Sequence, residues 1–212
     1  EELPIFDGSA APWVHMLRDG GLIRDGRVRK ALHLAYPVRV EDGDRFIEIL
    51  PSPRFSIEAT IDFPDPAIGR QGTGTLEGEE TIMRLAGSAR TFAMKMDVDR
   101  ILAMGLGQGG GLENSVIADN GRILNADGLR MENECAMHKA LDILGDIMTL
   151  GLPVYGAIRS HKGGHALTQS LVSKLVSDIA NHTVLPEIMP AKKPLFGTGR
   201  SRRSTPSGAV SG

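Results

Sequence analysis

Apolar residues recur along this chain with two different periods. Between residues 29 and 63 the period is two. Apolar and polar positions alternate around Tyr36-Pro37-Val38-Arg39-Val40, pause at Glu41-Asp42-Gly43-Asp44, and alternate again over residues 45–50. That pattern predicts a β-hairpin. FSIEATIDF, residues 55–63, predicts a third strand, stopped by Pro64-Asp65-Pro66. Residues 68–78, rich in Gly and Thr, predict a loop. Helical spacing then takes over, with helices expected at 79–89, 98–104, 137–150 and 166–179; in the last, Leu167, Leu171, Leu175 and Ile179 repeat at one face. Short strands are expected at 115–118 and 122–124, joined by the tight turn Asn120-Gly121, and at 154–158. At the start, residues 3–6 read as a strand, Asp7-Gly8-Ser9 as a turn and helix cap, and 13–17 as an amphipathic run behind Pro12. The expected fold class is α+β, a layer of helices packed on a mixed β-sheet.

Composition narrows the function classes. With 212 residues and 41% hydrophobic content the chain can bury a sizeable core. A net charge of −2 gives no global attraction for polyanions, so no nucleic-acid partner is expected. One cysteine, Cys135, excludes a disulfide framework and a Cys-rich zinc site and suits a reducing cytoplasm, with Cys135 itself read as packing. No apolar run approaches membrane-span length and no signal peptide is visible, so a soluble cytoplasmic protein is expected. After Glu187 the chain is Pro, Gly, Ser and basic residues (Lys192, Lys193, Arg200, Arg202, Arg203) without an acid, which reads as a disordered tail.

Candidate chemistry concentrates in two stretches. MHKALDILGDIMTL, residues 137–150, places His138, Asp142 and Asp146 at i, i+4 and i+8 on one helical face. A His and an Asp one turn apart can share a cation, and a second Asp one turn on can orient a further group. SHKGGHAL, residues 160–167, offers that group in His165, delivered by a Gly-Gly turn. The same spacing also suits an exposed helical face with an ion pair. The glycine run 105–111 lacks the Gly-Lys-Ser/Thr of a phosphate loop and is read as a link.

HKALDILGD followed by GAIRSHKGGHAL strongly resembles the zinc-dependent deacetylase family of lipid A synthesis, the UDP-3-O-acyl-N-acetylglucosamine deacetylases. LPIFDGSAAPWV near the start, Asp-Phe-x-x-Pro-x-Ile at residues 62–68 and Arg90-Thr91-Phe92 extend the resemblance, which runs from Leu3 to about Ile179. Where the family usually has Arg-Phe-x-Asp-Glu-Phe-[VA]-[RK]-His-Lys, this chain keeps Arg130, Glu134 and His138-Lys139 but carries Asn133, Cys135 and Met137.

The resemblance implies roles and boundaries. His138 and Asp142 match two of three ligands of a Zn2+ ion that activates water and polarises the acetamide. His165, held by Asp146, matches the imidazolium that stabilises the oxyanion and protonates the leaving amine, and Thr91 the hydroxyl that polarises the carbonyl. Lys139 and Lys162 would meet the diphosphate, Phe63 the uracil, and Asp97 the substrate or its own helix terminus; Phe63 also suits an ordinary core aromatic. A β-α-β insert at about 92–118 would form a passage for the acyl chain, walled by Met94, Met96, Ile101, Leu102, Met104 and Leu106. The family's third ligand and general base lie in a Glu-His motif of a first domain, and no Glu-His dipeptide occurs among the 212 residues. Residues 1–25 are thus expected to end a first domain, 26–185 to form the second, and 186–212 to be the basic tail. The second domain is one half of a two-domain sandwich, with the first domain as physical partner and the inner membrane surface in peripheral contact. On this reading the chain alone is inactive. The alternative function is a non-catalytic fragment or divergent member that binds UDP-sugar or lipid without turnover.

Overall fold

The computed structural model describes residues 3–21 and 29–178, and the backbone of 183–186. Residues 22–28 and 179–182 and the basic tail from 187 on, with the expectations that fall on them, lie outside the described residues. The elements are α1 (Ala11–Gly20), β1 (Lys30–His33), β2 (Val38–Asp42), β3 (Arg45–Pro51), β4 (Ser56–Asp62), β5 (Arg70–Gly72), β6 (Leu76–Glu77), α2 (Glu79–Ala86), β7 (Phe92–Met94), α3 (Lys95–Ala103), β8 (Val116–Asp119), β9 (Arg122–Ile123), α4 (Glu134–Met148), β10 (Val154–His161), α5 (His165–Ser177) and β11 (Thr183–Pro186). The fold is α+β, with helices packed on mixed sheets.

β10 is the spine of the main sheet. One of its edges pairs antiparallel with β3 from Gly156↔Pro51 to His161↔Phe46. Its other edge is shared: β1 takes Val154 and Tyr155, and β4 takes residues 157–161, both parallel. β2 extends β3 as the expected hairpin, and β11 closes the far side against β1. Alternation decides which face is buried. Leu32, Ile47, Ile49, Ile57, Val154 and Ile158 point to one face and are at most 5% exposed, while His33, Phe46, Glu48 and Arg159 point to the other. The buried face receives α2, α4 and α5 through Ile82, Ile143, Ile147, Leu171 and Leu175. Each such side chain, fully removed from water, contributes roughly 1.5–3 kcal/mol. The layer thus holds the helices carrying the candidate chemistry side by side, α4 against β4 and α5 against β2 and β3.

A second, three-stranded sheet stands apart in the order β7-β8-β9. β7 and β8 are parallel and joined through α3, which makes the expected β-α-β insert. β8 and β9 turn back at Asn120 and Gly121, whose φ values of 50° and 78° suit the tight turn read from the sequence. A small core of Ile61, Ile68, Val116, Ala118, Cys135 and Ala136 glues the insert to the start of α4.

Two expectations are corrected. Residues 3–6 form no strand: Leu3 and Ile5 are exposed, and Phe6 takes φ 51° to turn its ring onto Trp13, 5.0 Å away. The chain bends there because Gly8 donates its N–H back to Ile5 O at 3.0 Å. Within 68–78, read as loop, β5 and β6 pair with the free edge of β4. Backbone bonds to an available edge, with few side chains to bury, leave little trace in a hydrophobic pattern.

Candidate active site

α4 begins three residues before the predicted helix, at Glu134, and puts His138, Asp142 and Asp146 on one face as expected. His138 is 8% exposed. Its Nδ1 meets the Ala89 carbonyl oxygen at 2.9 Å. A carbonyl only accepts, so Nδ1 carries the proton and Nε2 is left to face Asp142 Oδ1 at 3.2 Å. A carboxylate offers only lone pairs, so Nε2 either bears a second proton or shares a cation with Asp142. Two donors each about 2.0–2.1 Å from a tetrahedral ion lie about 3.3 Å apart, which is close to the separation seen. The donor set, imidazole and carboxylate, is one zinc accepts. Among the described residues no third His, Cys, Asp or Glu completes a cluster around them.

Asp142 Oδ2 also accepts from Lys139 Nζ at 2.8 Å and lies 3.9 Å from His165 Nε2. Burial disfavours its charge, yet the His138 hydrogen bond and the charges of His138 and Lys139 outweigh this and bring its carboxyl down to about 2. A carboxyl depressed on folding contributes stability in full above its unfolded pKa of about 3.9 and loses it as the pH falls through the folded value. The metal-free protein is therefore expected to lose on the order of 2 kcal/mol between about pH 5 and 2 from this group. Urea melts across that range should show a shallower decline for Asp142→Asn; equal slopes would remove the assignment.

His165 opens α5 beyond Gly163 and Gly164, as the sequence implied. Its Nδ1 donates to Asp146 Oδ2 at 2.9 Å, and the ring is 58% exposed in its side chain. Ser160 lies beneath this turn, and a Cβ on Gly163 would stand 2.2 Å from Ser160 Oγ. Thr60, Ile61, Lys139, Asp142, Gly164 and His165 line a common depression at the surface between β4, α4 and α5.

The other sequence-derived residues ring this centre unevenly. Phe92 bridges Phe63 to α4, with ring centroids 5.2 Å from Phe63 and 6.5 Å from His138. Lys139 Nζ lies 5.4 Å from the Phe92 ring centroid. Lys162 takes φ 50°, an uncommon left-handed conformation, and its amine reaches Asp44 at 2.8 Å and Asp62 at 3.5 Å. The Asp44 hydrogen bond raises the Lys162 amine above its ordinary value. Thr91 is held through its backbone, donating to Gly8 O and accepting from Val116 N, both at 2.8 Å. Asp97 sits in the first turn of α3 with Arg100 at 3.7 Å. His161 turns to the far face of the sheet, where its Nδ1 meets Thr60 Oγ1 at 2.8 Å. Cys135 is buried, and burial pushes its thiol up to about 12, which agrees with a packing role. The insert presents Met96, Ile101, Leu102, Met104 and Leu106 to solvent as an apolar band.

The sequence of the chain is matched by known proteins. The family model described as UDP-3-O-acyl N-acetylglycosamine deacetylase matches residues 1–177. The chain belongs to that deacetylase family. UDP-3-O-acyl-N-acetylglucosamine deacetylase of Anaeromyxobacter dehalogenans is 40% identical over 184 residues, covering 87% of this chain and 60% of the relative. The Actinobacillus succinogenes deacetylase is 40% identical over 179 residues, 84% of this chain and 59% of its own length. A Helicobacter pylori deacetylase is 37% identical over 193 residues, 91% and 65% respectively. The chain thus spans about three fifths of the length of the curated deacetylases it matches. No helix among the described residues is long and apolar enough to cross a membrane.

Sequence reasoning missed the groups that hold the candidate residues in place. The Ala89 carbonyl carries no side-chain signal, and Asp44 and Asp62 are distant in sequence from Lys162. Arg90 and Glu134 left a faint one: an arginine in the otherwise uncharged run of residues 85–94, and an acid in the first turn of α4 followed by Cys135, Ala136 and Met137.

Proposed function

We propose that this chain carries the metal- and substrate-binding half of a zinc amidohydrolase that removes the N-acetyl group of UDP-3-O-acyl-N-acetylglucosamine, the committed step of lipid A synthesis. The observation that carries the reading is the His138–Asp142 pair, 3.2 Å apart, set beside a His165 whose Nδ1 is bound by Asp146 at 2.9 Å. His138 and Asp142 would hold zinc, which when bound supplies electrophilic activation of the acetamide carbonyl.

The chain's own residues do the rest. Thr91 donates its hydroxyl to the carbonyl oxygen. As water adds to the carbonyl carbon, the His165 imidazolium directs Nε2–H at the developing oxyanion. It then passes that proton to the nitrogen as the C–N bond breaks, releasing acetate and the free amine. Asp146 keeps the His165 ring oriented by accepting from its Nδ1–H, which leaves Nε2 turned to the substrate. Lys139 and Lys162 meet the diphosphate, Lys162 by exchanging Asp44 and Asp62 for phosphate oxygens. Phe63 stacks on the uracil, and Asp97 serves the α3 terminus near the substrate. The apolar band of the insert takes the acyl chain, which brings the protein to the cytoplasmic surface of the inner membrane. The third metal ligand and the base that activates water are assigned to a first domain, in the part of the relatives' length that this chain does not span.

Acetate release from UDP-3-O-acyl-N-acetylglucosamine by the intact protein tests the reading directly; no release would end it. Within an active protein, Asp146→Asn is expected to lower kcat about 10–100-fold with KM little changed, because it loosens a catalytic group and not the substrate.

A further inference from the structure

The first turn of α4 contains a polar cluster that the proposed chemistry does not use. Glu134 is 0% and Arg90 2% exposed. Glu134 Oε1 accepts from both the backbone N and the Nε of Arg90 at 2.9 Å. Its Oε2 accepts from Arg90 Nη2 at 3.1 Å and from the backbone N of Arg130 at 2.7 Å. Arg90 spends its remaining donors on Gly128 O at 2.6 Å and Asp127 Oδ2 at 3.2 Å. The Arg130 guanidinium then donates to Ser88 O at 2.9 Å and to Asp7 Oδ2 at 2.8 Å.

A buried ion pair is seldom the most stabilising way to fill a core, because desolvation offsets most of its attraction. What a planar guanidinium gripped by a carboxylate does supply is fixed geometry. Here the gripped residue lies between two functional neighbours. Ala89 offers the carbonyl that takes the His138 Nδ1 proton, and Thr91 bears the proposed carbonyl-polarising hydroxyl. Glu134 is one helical turn before His138. The path from the α4 backbone through His138, Ala89, Arg90 and Glu134 therefore closes on α4 itself. The helix that supplies the imidazole also fixes the acceptor that sets its tautomer and ring plane.

We propose that Arg90 and Glu134, steadied by Arg130, are positioning residues that hold the Ala89 carbonyl against His138 Nδ1 and so present Nε2 to the metal. The inference rests on the metal-site reading above. Its consequence is that metal affinity is set partly by residues that never touch the metal.

The test uses the intact protein with Glu134→Gln, Arg130→Met and, as a destabilised control far from the site, Leu32→Ala. Zinc affinity is read by competition with a chelating dye at a temperature where thermal unfolding shows each variant folded, and kcat and KM are read alongside. Glu134→Gln is expected to weaken zinc about 10–100-fold and to lower kcat with KM unchanged. Arg130→Met, which keeps the buried pair, is expected to shift both the same way by about 3–10-fold, and it decides the matter if Glu134→Gln does not fold. Leu32→Ala loses thermal stability but keeps wild-type zinc affinity. Wild-type zinc affinity in folded Glu134→Gln, or in Arg130→Met, overturns the proposal, as does an equal loss in Leu32→Ala. Retention of zinc by His138→Ala would instead mark failure of the metal-site reading itself.

Discussion

His138→Ala in the intact protein is expected to abolish stoichiometric zinc and to lower acetate release by about 10³–10⁴-fold, the equivalent of several kcal/mol of transition-state stabilisation. Two effects combine. The Nε2 donor that faces Asp142 at 3.2 Å disappears, and the Ala89 carbonyl loses the partner it holds at 2.9 Å. The second effect leaves a buried acceptor unpaired, at a cost of about 1–3 kcal/mol in stability. Metal analysis together with turnover and a urea melt separates them. Turnover within threefold of wild type would remove His138 from the mechanism.

Gly8→Ala is expected to be the most destabilising glycine-to-alanine change among the described residues, at about 4 kcal/mol. Gly8 has φ 77°, and a Cβ there would stand 1.8 Å from the Asn114 carbonyl oxygen and 2.8 Å from its carbon. Both obstacles are backbone, so no rotamer change relieves them. The only escape is to displace the segment, which breaks the 2.8 Å bond from Thr91 N to Gly8 O and shifts the strand start that carries the proposed hydroxyl. Gly43→Ala is the matched control: its φ is 63° and nothing lies within 4 Å, so it meets only the conformational penalty of about 1 kcal/mol. Urea midpoints of the two variants compared with wild type check the difference. Equal losses would show that Asn114 yields without cost.

Much of this architecture is legible in the sequence. The β2–β3 hairpin, β4, α4, β10 and the Asn120-Gly121 turn follow from side-chain periodicity and turn chemistry, because each buries one face or needs a positive φ. So did the His138–Asp142–Asp146 stripe, since helical spacing alone puts those side chains in line. What escaped was held by the main chain or by long-range pairing. β5 and β6 exist because β4 has a free edge, and the Ala89 carbonyl orients His138 across 49 residues of sequence. The Arg90–Glu134 contact spans 44. No local pattern announces such partners; burial of two opposite charges reveals them only once the chain is folded. The expected strand at residues 3–6 failed for the converse reason, since apolar residues there have no neighbouring edge to join among the described residues.

The three-stranded sheet of the insert shares no strand with the main sheet. Gly121 N bonded to Asp65 Oδ1 at 3.0 Å and a small apolar seam tie the two together. Under the proposed function, the helices on the first sheet carry the metal and acid groups, while the second sheet carries Thr91 at its root and gauges a hydrocarbon tail at its far end. Lengthening or trimming residues 104–108, ahead of the Asn114 carbonyl that packs on Gly8, therefore alters the gauge without touching the Asp146 contact that seats His165. Length changes at the tip of the second sheet and point substitutions around His165 are thus separable perturbations, one acting on tail length and the other on bond cleavage.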